Sequence, residues 1–223
     1  MSQPKASAAI EEYLETIYRL SREAEPVPLS ALAEWFGISP VSVNEMVRKM
    51  ADRGLVSYEP YRGVSLTPQG RSRAETMVRR HRLWERLLTD VLDYPWDKVH
   101  DEACRLEHAT SAELEKHLAA YLAGPRTCPH GMPLPGESSA ALDASLPLDA
   151  LAVGQSARIV AVTDEDAAFL SVLDHAGLRP DAVVRVVHRE PATHSLICLV
   201  DDVATTLWDN VASRVLVMPL AEA

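Results

Sequence analysis

The sequence predicts a mainly α-helical protein with a small β domain at its carboxyl-terminal end, and three observations carry this prediction. Apolar residues recur at the three- and four-residue spacing of helices through most of residues 7–122. Beyond residue 154 they fall instead into four strand-like runs, QSARIVAVT, DAVVRVVHRE, SLICLV and RVLVMPL, with one helical segment between the first two. Residues 123–140, rich in proline and glycine, lie between these regions and have the composition of a linker.

Composition and charge restrict the class of protein. Of the 223 residues, 47% are hydrophobic, which is enough for a buried core, yet no apolar run approaches the roughly 18 residues that span a bilayer. The first residues lack the pattern of a signal peptide, and three cysteines are too few for a disulfide framework, so we expect a soluble, cytoplasmic protein with reduced thiols. The net charge is −10, but residues 40–82 hold nine basic and four acidic residues, so this segment can meet phosphate.

The segment PLSALAEWFGISPVSVNEMVRKMADRGLV (residues 28–56) predicts two helices joined by a tight turn. Gly37 supplies the turn, Ser39 is typical of a helix N-cap, and Pro40 suits the first helical position. The following residues 55–70 predict a two-stranded hairpin with an arginine at its tip. Together these elements indicate a winged helix-turn-helix, a DNA-binding motif. The alternative is an ordinary helical hairpin, but the basic segment favours contact with DNA.

On this interpretation, the start of the second helix of the motif reads bases and neighbouring cations hold phosphates. Asparagine pairs with adenine through both atoms of its amide, whereas serine and proline suit weaker contacts. Arginine and lysine bind the phosphate backbone, which positions a protein without reading sequence. The candidate DNA-binding residues are Ser39, Pro40, Ser42, Asn44, Arg48, Lys49 and Arg62.

A second feature is the stretch VHDEACRLEH (residues 99–108), in which polar side chains occupy the face that a helix normally buries. His100, Cys104, Glu107 and His108 fall within an arc of roughly 100°. The preceding helix repeats this chemistry with a histidine and a glutamate four residues apart, at positions 81 and 85. Imidazole, thiolate and carboxylate groups are ligands of first-row transition metals, and burying them unpaired costs several kcal/mol. A metal site is therefore predicted; the alternative is a polar cluster that holds no metal.

The other cysteines do not extend this pattern. Cys128 and His130 lie in the proline- and glycine-rich segment without two further donors nearby, so we do not expect them to bind metal. Cys198 lies in an apolar strand and is expected to be a core residue. A metalloenzyme is a competing interpretation, but there is no HExxH motif, and prolines interrupt the long helices that a di-iron site needs. A thiol redox sensor built on Cys104 is another, without a resolving cysteine close in sequence.

The order of these motifs resembles one protein family. The segments EEYLETIYRL, HRLWERLLTDVLDYPWDKVHDEACRLEHATSAELEKHL and CPHGMPLPG, together with the winged helix, resemble the diphtheria-toxin-repressor and manganese-transport-regulator family of bacterial metal-activated repressors. The resemblance covers residues 7–140 and, more weakly, the remainder. It implies a DNA-binding domain, a helical domain for dimerisation and metal binding, and an SH3-like (FeoA-like) β-barrel. We place these at residues 1–74, 75–140 and 149–223, with a linker at 141–148.

Carried over position by position, the resemblance implies two metal sites in each subunit, of which the first triggers DNA binding in this family. The residues of the first site would be Glu12, Cys104 (side chain or carbonyl), Glu107 and His108. The residues of the second site would be His81, Glu85 and His100. In iron-type members a carboxylate of the C-terminal domain reaches the second site, which points to Glu165 here; the glutamine that accompanies it is Ala168 in this chain.

The donor set combines features of two branches of the family. Iron-type members have a methionine where this chain has Glu12, whereas manganese-type members have carboxylates there and at Glu15. Manganese-type members, however, have a glutamate in place of Cys104. Carboxylates suit Mn²⁺, and a thiolate suits Fe²⁺, Co²⁺ or Zn²⁺. Because carboxylates outnumber the single thiolate, we expect Mn²⁺, with Fe²⁺ as the alternative and Co²⁺, Zn²⁺ or Cd²⁺ as substitutes in vitro.

The resemblance therefore implies a cytoplasmic homodimer that binds palindromic operator DNA and represses metal-uptake genes when metal is plentiful. Catalytic residues, a membrane partner and a small organic substrate are not expected. In the implied mechanism, metal at the first site ties the DNA-binding domain to the dimerisation helices and fixes the two DNA-binding domains of a dimer about 34 Å apart. The C-terminal domain could dock on the metal-binding helices, act as a separate interaction module, or move on its linker.

Overall fold

The computed structural model describes residues 5–22 and 24–220 of the chain, with side chains from residue 8 onward. The predicted fold class is confirmed, because helices dominate up to residue 121 and strands dominate from residue 146. The chain forms two compact units, which divide between Arg80 and His81. In the described part of the chain, no helix is both long and apolar enough to span a bilayer.

The first unit is a helical domain with a β-hairpin. Its elements are α1 (Lys5–Leu20), α2 (Leu29–Phe36), α3 (Pro40–Ala51), β1 (Val56–Glu59), β2 (Gly63–Leu66) and the beginning of α4 (Pro68–Asp90). Apolar side chains at helical spacing in the first three helices form its core, in which the rings of Tyr13 and Phe36 stack with their centroids 4.3 Å apart. Burial of these side chains is the main force that holds the three helices together.

Local signals set the turn between α2 and α3. Gly37 ends α2 in a left-handed conformation with a φ of 62°, which a glycine adopts at little cost. Ser39 then caps α3, because its hydroxyl accepts a hydrogen bond from the Ser42 N–H at 3.2 Å. Pro40 occupies the first turn of α3, where its missing N–H is not needed. The predicted helix-turn-helix is confirmed.

The hairpin that follows α3 is the wing of the motif. Its two strands, β1 and β2, pair antiparallel. Val64 of β2 also exchanges two backbone hydrogen bonds with Val27, at 2.8 and 2.9 Å, which fastens the wing to the segment before α2. Gly63 permits this approach, because a Cβ at its position would overlap the carbonyl group of Val27.

The second unit combines helices with a six-stranded antiparallel sheet. Its helical part comprises the end of α4, α5 (Val99–Glu107), α6 (Ala112–Tyr121) and the short α7 (Ala140–Asp143). Its β part comprises β3 (Leu146–Pro147), β4 (Ser156–Val162), α8 (Ala167–His175), β5 (Val183–Glu190), β6 (Ser195–Val200), β7 (Val203–Trp208), α9 (Asp209–Ala212) and β8 (Val215–Pro219). The strand order is β3-β8-β4-β5-β6-β7. The four predicted strands are present, whereas β7 and β3, the latter inside the expected linker at 141–148, were not predicted.

The proline- and glycine-rich segment at 123–140 is not the linker that its composition predicted. Cys128 and His130 are fully buried. Arg86 of α4 donates hydrogen bonds to the carbonyl groups of Thr127, at 2.7 Å, and Cys128, at 3.0 Å. Residues that break helices also allow a chain to fold in tight turns over a neighbouring helix, and composition does not distinguish the two outcomes.

The β part packs directly on the helical part of this unit. Trp96, which follows α4, is buried in the apolar core of the sheet, and its indole N–H donates to the Pro129 carbonyl at 3.1 Å. The Val162 N–H donates to the His130 carbonyl at 2.9 Å. Of the three arrangements considered for the C-terminal domain, the structure shows the docked one.

We expect Gly131→Ala to lower the free energy of unfolding of the second unit by about 1–3 kcal/mol. Gly131 has a φ of 88°, and a Cβ there would overlap the Val160 carbonyl of β4. Gly136→Ala is the matched control, because Gly136 has the same φ of 88° but open space where its Cβ would lie. Urea denaturation of both variants gives the difference, and equal losses would show that the approach to β4 contributes nothing.

Candidate metal centre and DNA-binding surface

The polar stripe of α5 meets the end of α4 inside the second unit. A spacing of one turn places His81 and Glu85 on one face of α4 and His100 and Cys104 on one face of α5. His81, Glu85 and Glu107 are buried, and the remaining donors of α5 are half-buried. The structure thus brings together the donors that the sequence predicted on these two helices.

His81 lies at the centre of this cluster. Its Nδ1 atom is 2.7 Å from Oε2 of Glu107, and its Nε2 atom is 3.1 Å from Oε1 of Glu85. At the outer end, Nε2 of His108 is 3.5 Å from Oε1 of Glu107. One imidazole therefore connects carboxylates that were predicted to belong to two separate sites, and the donors form one continuous cluster.

His100 connects α5 to the C-terminal domain. Its Nδ1 atom is 3.0 Å from Oε2 of Glu165, in the loop between β4 and α8, and 3.8 Å from Oε1 of Glu85. Its Nε2 atom is 3.6 Å from Sγ of Cys104, which also lies 3.9 Å from Nδ1 of His81. Glu165 therefore lies at the second predicted site, and Cys104 lies beside two histidines of that site.

The charges of the cluster shift the pKa values of its members. Burial lowers the pKa of both imidazoles, but the surrounding carboxylates and the Cys104 thiol outweigh it, so the pKa of His81 is raised well above its ordinary value and that of His100 to about 11. Burial raises the pKa of the Glu85 carboxyl, but the charges of His81 and His130 outweigh this effect and hold it well below its usual range. Burial also raises the pKa of the Cys104 thiol, but the contacts with His100 and His81 outweigh it, so this pKa is lowered. Without metal, protons on the imidazoles offset the negative charges, and a cation that binds must displace them.

Cys128 and His130 lie beside the same carboxylates, so the expectation that no further donors are near them is wrong. Nδ1 of His130 is 3.3 Å from Oε1 of Glu85. One ligand atom from each of Glu85, Cys128, His130 and Glu165 lies within 4.8 Å of all the others, and the same holds for His81, Glu85, His100 and Glu165. The sequence did show a cysteine and a histidine close together in CPH, which are two possible metal ligands. It did not show that this loop contacts α4, because that contact is long-range.

The remaining predicted ligands lie on α1 in the first unit. Glu12 is exposed, whereas Glu15 is buried and accepts a hydrogen bond from Arg19 at 2.7 Å. Both belong to the unit that carries the winged helix-turn-helix, and the other predicted donors belong to the second unit.

The first turn of α3 forms an exposed surface of the first unit. Ser39, Pro40 and Ser42 are exposed, as the prediction of DNA contact requires. Val41 between them is 67% exposed and was not among the predicted residues, although its methyl groups suit contact with thymine. Asn44 is half-buried, and its Oδ1 atom is buried without a hydrogen-bond partner among the described residues, so this orientation does not offer both amide atoms to adenine.

The predicted phosphate-binding cations lie on α3 and on the wing. Arg48 and Lys49 are exposed in the last turn of α3. The Arg62 side chain at the wing tip is 71% exposed and pairs with Glu59 at 2.7 Å. An exposed pair of this kind contributes at most about 1 kcal/mol, so Arg62 can exchange Glu59 for a phosphate.

Family profiles match three consecutive parts of the chain. The N-terminal DNA binding domain of iron dependent repressors matches residues 5–64, and their metal binding and dimerisation domain matches residues 67–136. A FeoA domain matches residues 146–219. The order of domains is the one that the sequence predicted.

Individual proteins are similar over most of the chain. The diphtheria toxin repressor of Corynebacterium efficiens is 38% identical over 211 residues, which cover 87% of this chain and 91% of that protein. The iron-dependent repressor IdeR of Mycobacterium leprae is 34% identical over 218 residues, which cover 92% and 94%. Among solved structures, a manganese-dependent transcriptional repressor in complex with manganese is similar with a TM-score of 0.82 and 33% identity, over 95% of this chain and 100% of that one.

A winged helix-turn-helix joined to a buried cluster of imidazole, thiol and carboxylate groups defines a metal-dependent transcriptional regulator. The chain belongs to the diphtheria-toxin-repressor family, whose members are DNA-binding repressors that depend on metal and carry a dimerisation domain. The predicted family is confirmed, and the alternatives of a metalloenzyme and a thiol redox sensor are set aside. Relatives named for iron and for manganese both match the chain.

Proposed function

We propose that the protein is a cytoplasmic homodimer that binds palindromic operator DNA when its donor cluster holds metal, and that it represses metal-uptake genes when metal is plentiful. The observation that carries the proposal is the buried contact of His81 with both Glu85 and Glu107 in a chain that also holds a winged helix-turn-helix. Nitrogen, oxygen and sulfur donors buried together are the environment that a transition-metal ion selects.

The donors divide between two proposed sites. The first site takes Glu12, Cys104, Glu107 and His108, and Glu15, the carboxylate shared with manganese-type members, is a further candidate ligand. The second site takes His81, Glu85, His100 and Glu165, whose ligand atoms lie within 4.8 Å of one another. A bound cation supplies positive charge that replaces the protons of the imidazoles and neutralises the carboxylates.

The donors of the first proposed site favour Mn²⁺. The predicted donors include three carboxylates, those of Glu12, Glu15 and Glu107, which suit Mn²⁺, and one thiolate, that of Cys104, which suits Fe²⁺. Fe²⁺ is therefore the alternative activating ion, and Co²⁺, Zn²⁺ or Cd²⁺ can occupy the same donors in vitro. Affinity alone does not decide, because it rises from Mn²⁺ to later metals at any given site, so the activating ion depends on its concentration in the cell.

The switch follows from the division of the ligands. Glu12 and Glu15 belong to the unit that binds DNA, and the other donors belong to the second unit. A cation bound by ligands of both units would restrict the motion of the DNA-binding domain. DNA binding would then cost less conformational entropy, because part of this freedom is already lost. We retain the boundaries 1–74 and 75–140 for the first two domains and begin the C-terminal domain at β3, because this strand pairs with β8.

Operator binding by apo-protein and metal-loaded protein tests the proposal. Fluorescence anisotropy is measured on a promoter fragment of metal-uptake genes while Mn²⁺, Fe²⁺ (anaerobically) or Zn²⁺ is titrated, with a scrambled fragment as the control. We expect tight binding only with metal and only to the operator, with Mn²⁺ or Fe²⁺ effective at the lowest physiological concentration. Equal binding in the presence of a chelator would contradict the proposal.

Replacing Arg62 with alanine is expected to weaken binding to every DNA sequence alike and to reduce the slope of log affinity against log salt by about one. The reason is that Arg62 contacts phosphate and not base edges. Arg105→Ala is the matched control, because Arg105 is also exposed and paired with a glutamate three residues away, at 2.8 Å, but lies on α5. Anisotropy titrations at several salt concentrations give the slope, and a loss confined to one operator would contradict the assignment.

A further inference from the structure

We propose that Glu85 and Glu165 bridge two adjacent cation sites, so that the second unit binds a pair of divalent transition-metal ions rather than one. One site is completed by His81 and His100, and the other by Cys128 and His130. This inference deepens the proposed function, on whose metal dependence it rests, by adding an ion next to the second proposed site, the third in each subunit, and two further ligands from the loop at 123–140.

Two overlapping sets of donors support the pair. Each set holds four ligand atoms within 4.8 Å of one another, and the two sets share both carboxylates but no imidazole and no thiol. A tetrahedral ion with bonds of about 2.0–2.3 Å separates its ligands by about 3.3–3.8 Å. Small side-chain movements therefore close either set around an ion, and the separate nitrogen donors allow both sets to close together.

Glu85 lies between the two halves. Its Oε1 atom is 3.1 Å from Nε2 of His81 on one side and 3.3 Å from Nδ1 of His130 on the other. Its Oε2 atom is buried and has no hydrogen-bond partner in the described part of the chain. A buried carboxylate oxygen without a partner is costly, and a cation would supply one. A carboxylate has lone pairs for two cations, which in two-metal sites lie about 3.5–4 Å apart.

His130 is oriented as a ligand independently of His81 and His100. Its Nε2 atom is 3.3 Å from the Trp96 carbonyl oxygen, which only accepts hydrogen bonds, so a neutral ring carries its proton on Nε2. The lone pair then lies on Nδ1, which faces Glu85 and is buried without a hydrogen-bond partner among the described residues. A carbonyl group that fixes the outer nitrogen of an imidazole in this way is typical of metal-binding histidines.

The loop supplies the sulfur donor from a hydrogen-bonded turn. The Cys128 N–H donates to the Met132 carbonyl at 2.8 Å, and the Gly131 N–H donates to the Cys128 carbonyl at 2.9 Å. These bonds close a tight turn in which one ligand atom of Cys128 lies within 4.8 Å of one of His130, and the Cys128 side chain is fully buried. The turn therefore holds the two loop donors close together.

The shared carboxylates also favour cations at the pair. Both sets of donors contain Glu85 and Glu165, so two negative groups meet where the two sets overlap. Carboxylates withdrawn from water are unfavourable unless positive charge lies beside them, and bound cations supply that charge when the imidazoles are neutral.

The number of ions bound by the full chain tests the proposal. Cys104→Ser combined with His108→Ala serves as the parent, because it removes donors of the first proposed site and leaves Cys128 as the thiol of the bridged pair. We expect this parent to bind two Co²⁺ per subunit in equilibrium dialysis with elemental analysis, and its Co²⁺ spectrum to show a thiolate charge-transfer band. One Co²⁺ per subunit would overturn the bridged pair.

Paired variants of this parent assign each ion. Cys128→Ser with His130→Ala should bind one Co²⁺ without the charge-transfer band, and His81→Ala with His100→Ala should bind one Co²⁺ with it. Electron paramagnetic resonance of the parent protein, in which all ligands of the pair are present, does not depend on how the paired variants fold. A second equivalent of Mn²⁺ should weaken the six-line signal, because bridged ions couple magnetically. Two uncoupled ions would contradict bridging. No DNA enters these measurements, so their failure leaves metal-dependent operator binding to be judged by anisotropy.

Discussion

Glu12→Ala is expected to abolish metal-activated operator binding while the protein still folds and dimerises. Glu12 is the first-site ligand that the resemblance places on the DNA-binding unit, so its loss removes the proposed link between this unit and metal bound to the second unit. The side chain is exposed, and its truncation creates no cavity. Since allosteric coupling typically changes affinity about 5–150-fold, the variant should lose a metal-dependent gain of that size. Anisotropy with saturating Mn²⁺ measures the loss.

The neighbouring carboxylate provides the control for this prediction. Glu11→Ala removes the same charge from the same helix but does not remove a predicted ligand. We expect it to retain metal-activated binding within a few-fold of the unmodified protein. If Glu12→Ala bound the operator as tightly as the unmodified protein at saturating Mn²⁺, the link between the two units through this residue would be refuted.

Glu85→Gln is expected to destabilise the metal-free protein by about 3–5 kcal/mol, the cost of removing one partner from a buried ion pair. Glu85 is fully buried, and its Oε1 atom contacts His81 at 3.1 Å and His130 at 3.3 Å. Glutamine keeps the shape of the side chain, so the loss reports the charge that stabilises the buried imidazolium groups. Urea denaturation in the presence of a chelator at pH 7, following the transition of the second unit, measures it.

A surface pair on α5 separates this effect from a general loss of charge. Glu102→Gln breaks the pair with Arg105, whose side chain is 73% exposed, and should cost less than about 1 kcal/mol. A loss of similar size in the two variants would mean that the charge of Glu85 does not stabilise the cluster.

Local signals were sufficient to predict the DNA-binding motif and the donors on α4 and α5. Gly37 ends a helix and Ser39 begins the next through contacts within a few residues, so composition and spacing specify the turn. The spacing of His81 from Glu85 and of His100 from Cys104 likewise depends only on the helical period. Predictions of this kind succeed because the residues that determine these structures are close together in the sequence.

Long-range packing explains what the sequence did not predict. Cys128 and His130 follow Glu85 by more than forty residues, and only the folding of the loop over α4 brings them together. The same prolines and glycines that allow this folding made the segment resemble a linker. Asn44 illustrates a second case, because its place on α3 was predicted but the burial of its Oδ1 atom depends on tertiary packing.

Reciprocal linkage between metal and DNA tests the account most directly. Operator affinity is measured with and without saturating Mn²⁺, and Mn²⁺ affinity is measured with and without saturating operator, on the same protein and in the same buffer. If metal activates DNA binding through one switch, the two ratios must be equal, and we expect about 5–150-fold for each. Operator affinity that does not change with Mn²⁺, together with Mn²⁺ affinity that does not change with operator, would contradict the account and leave the cluster on α4 and α5 a purely structural site.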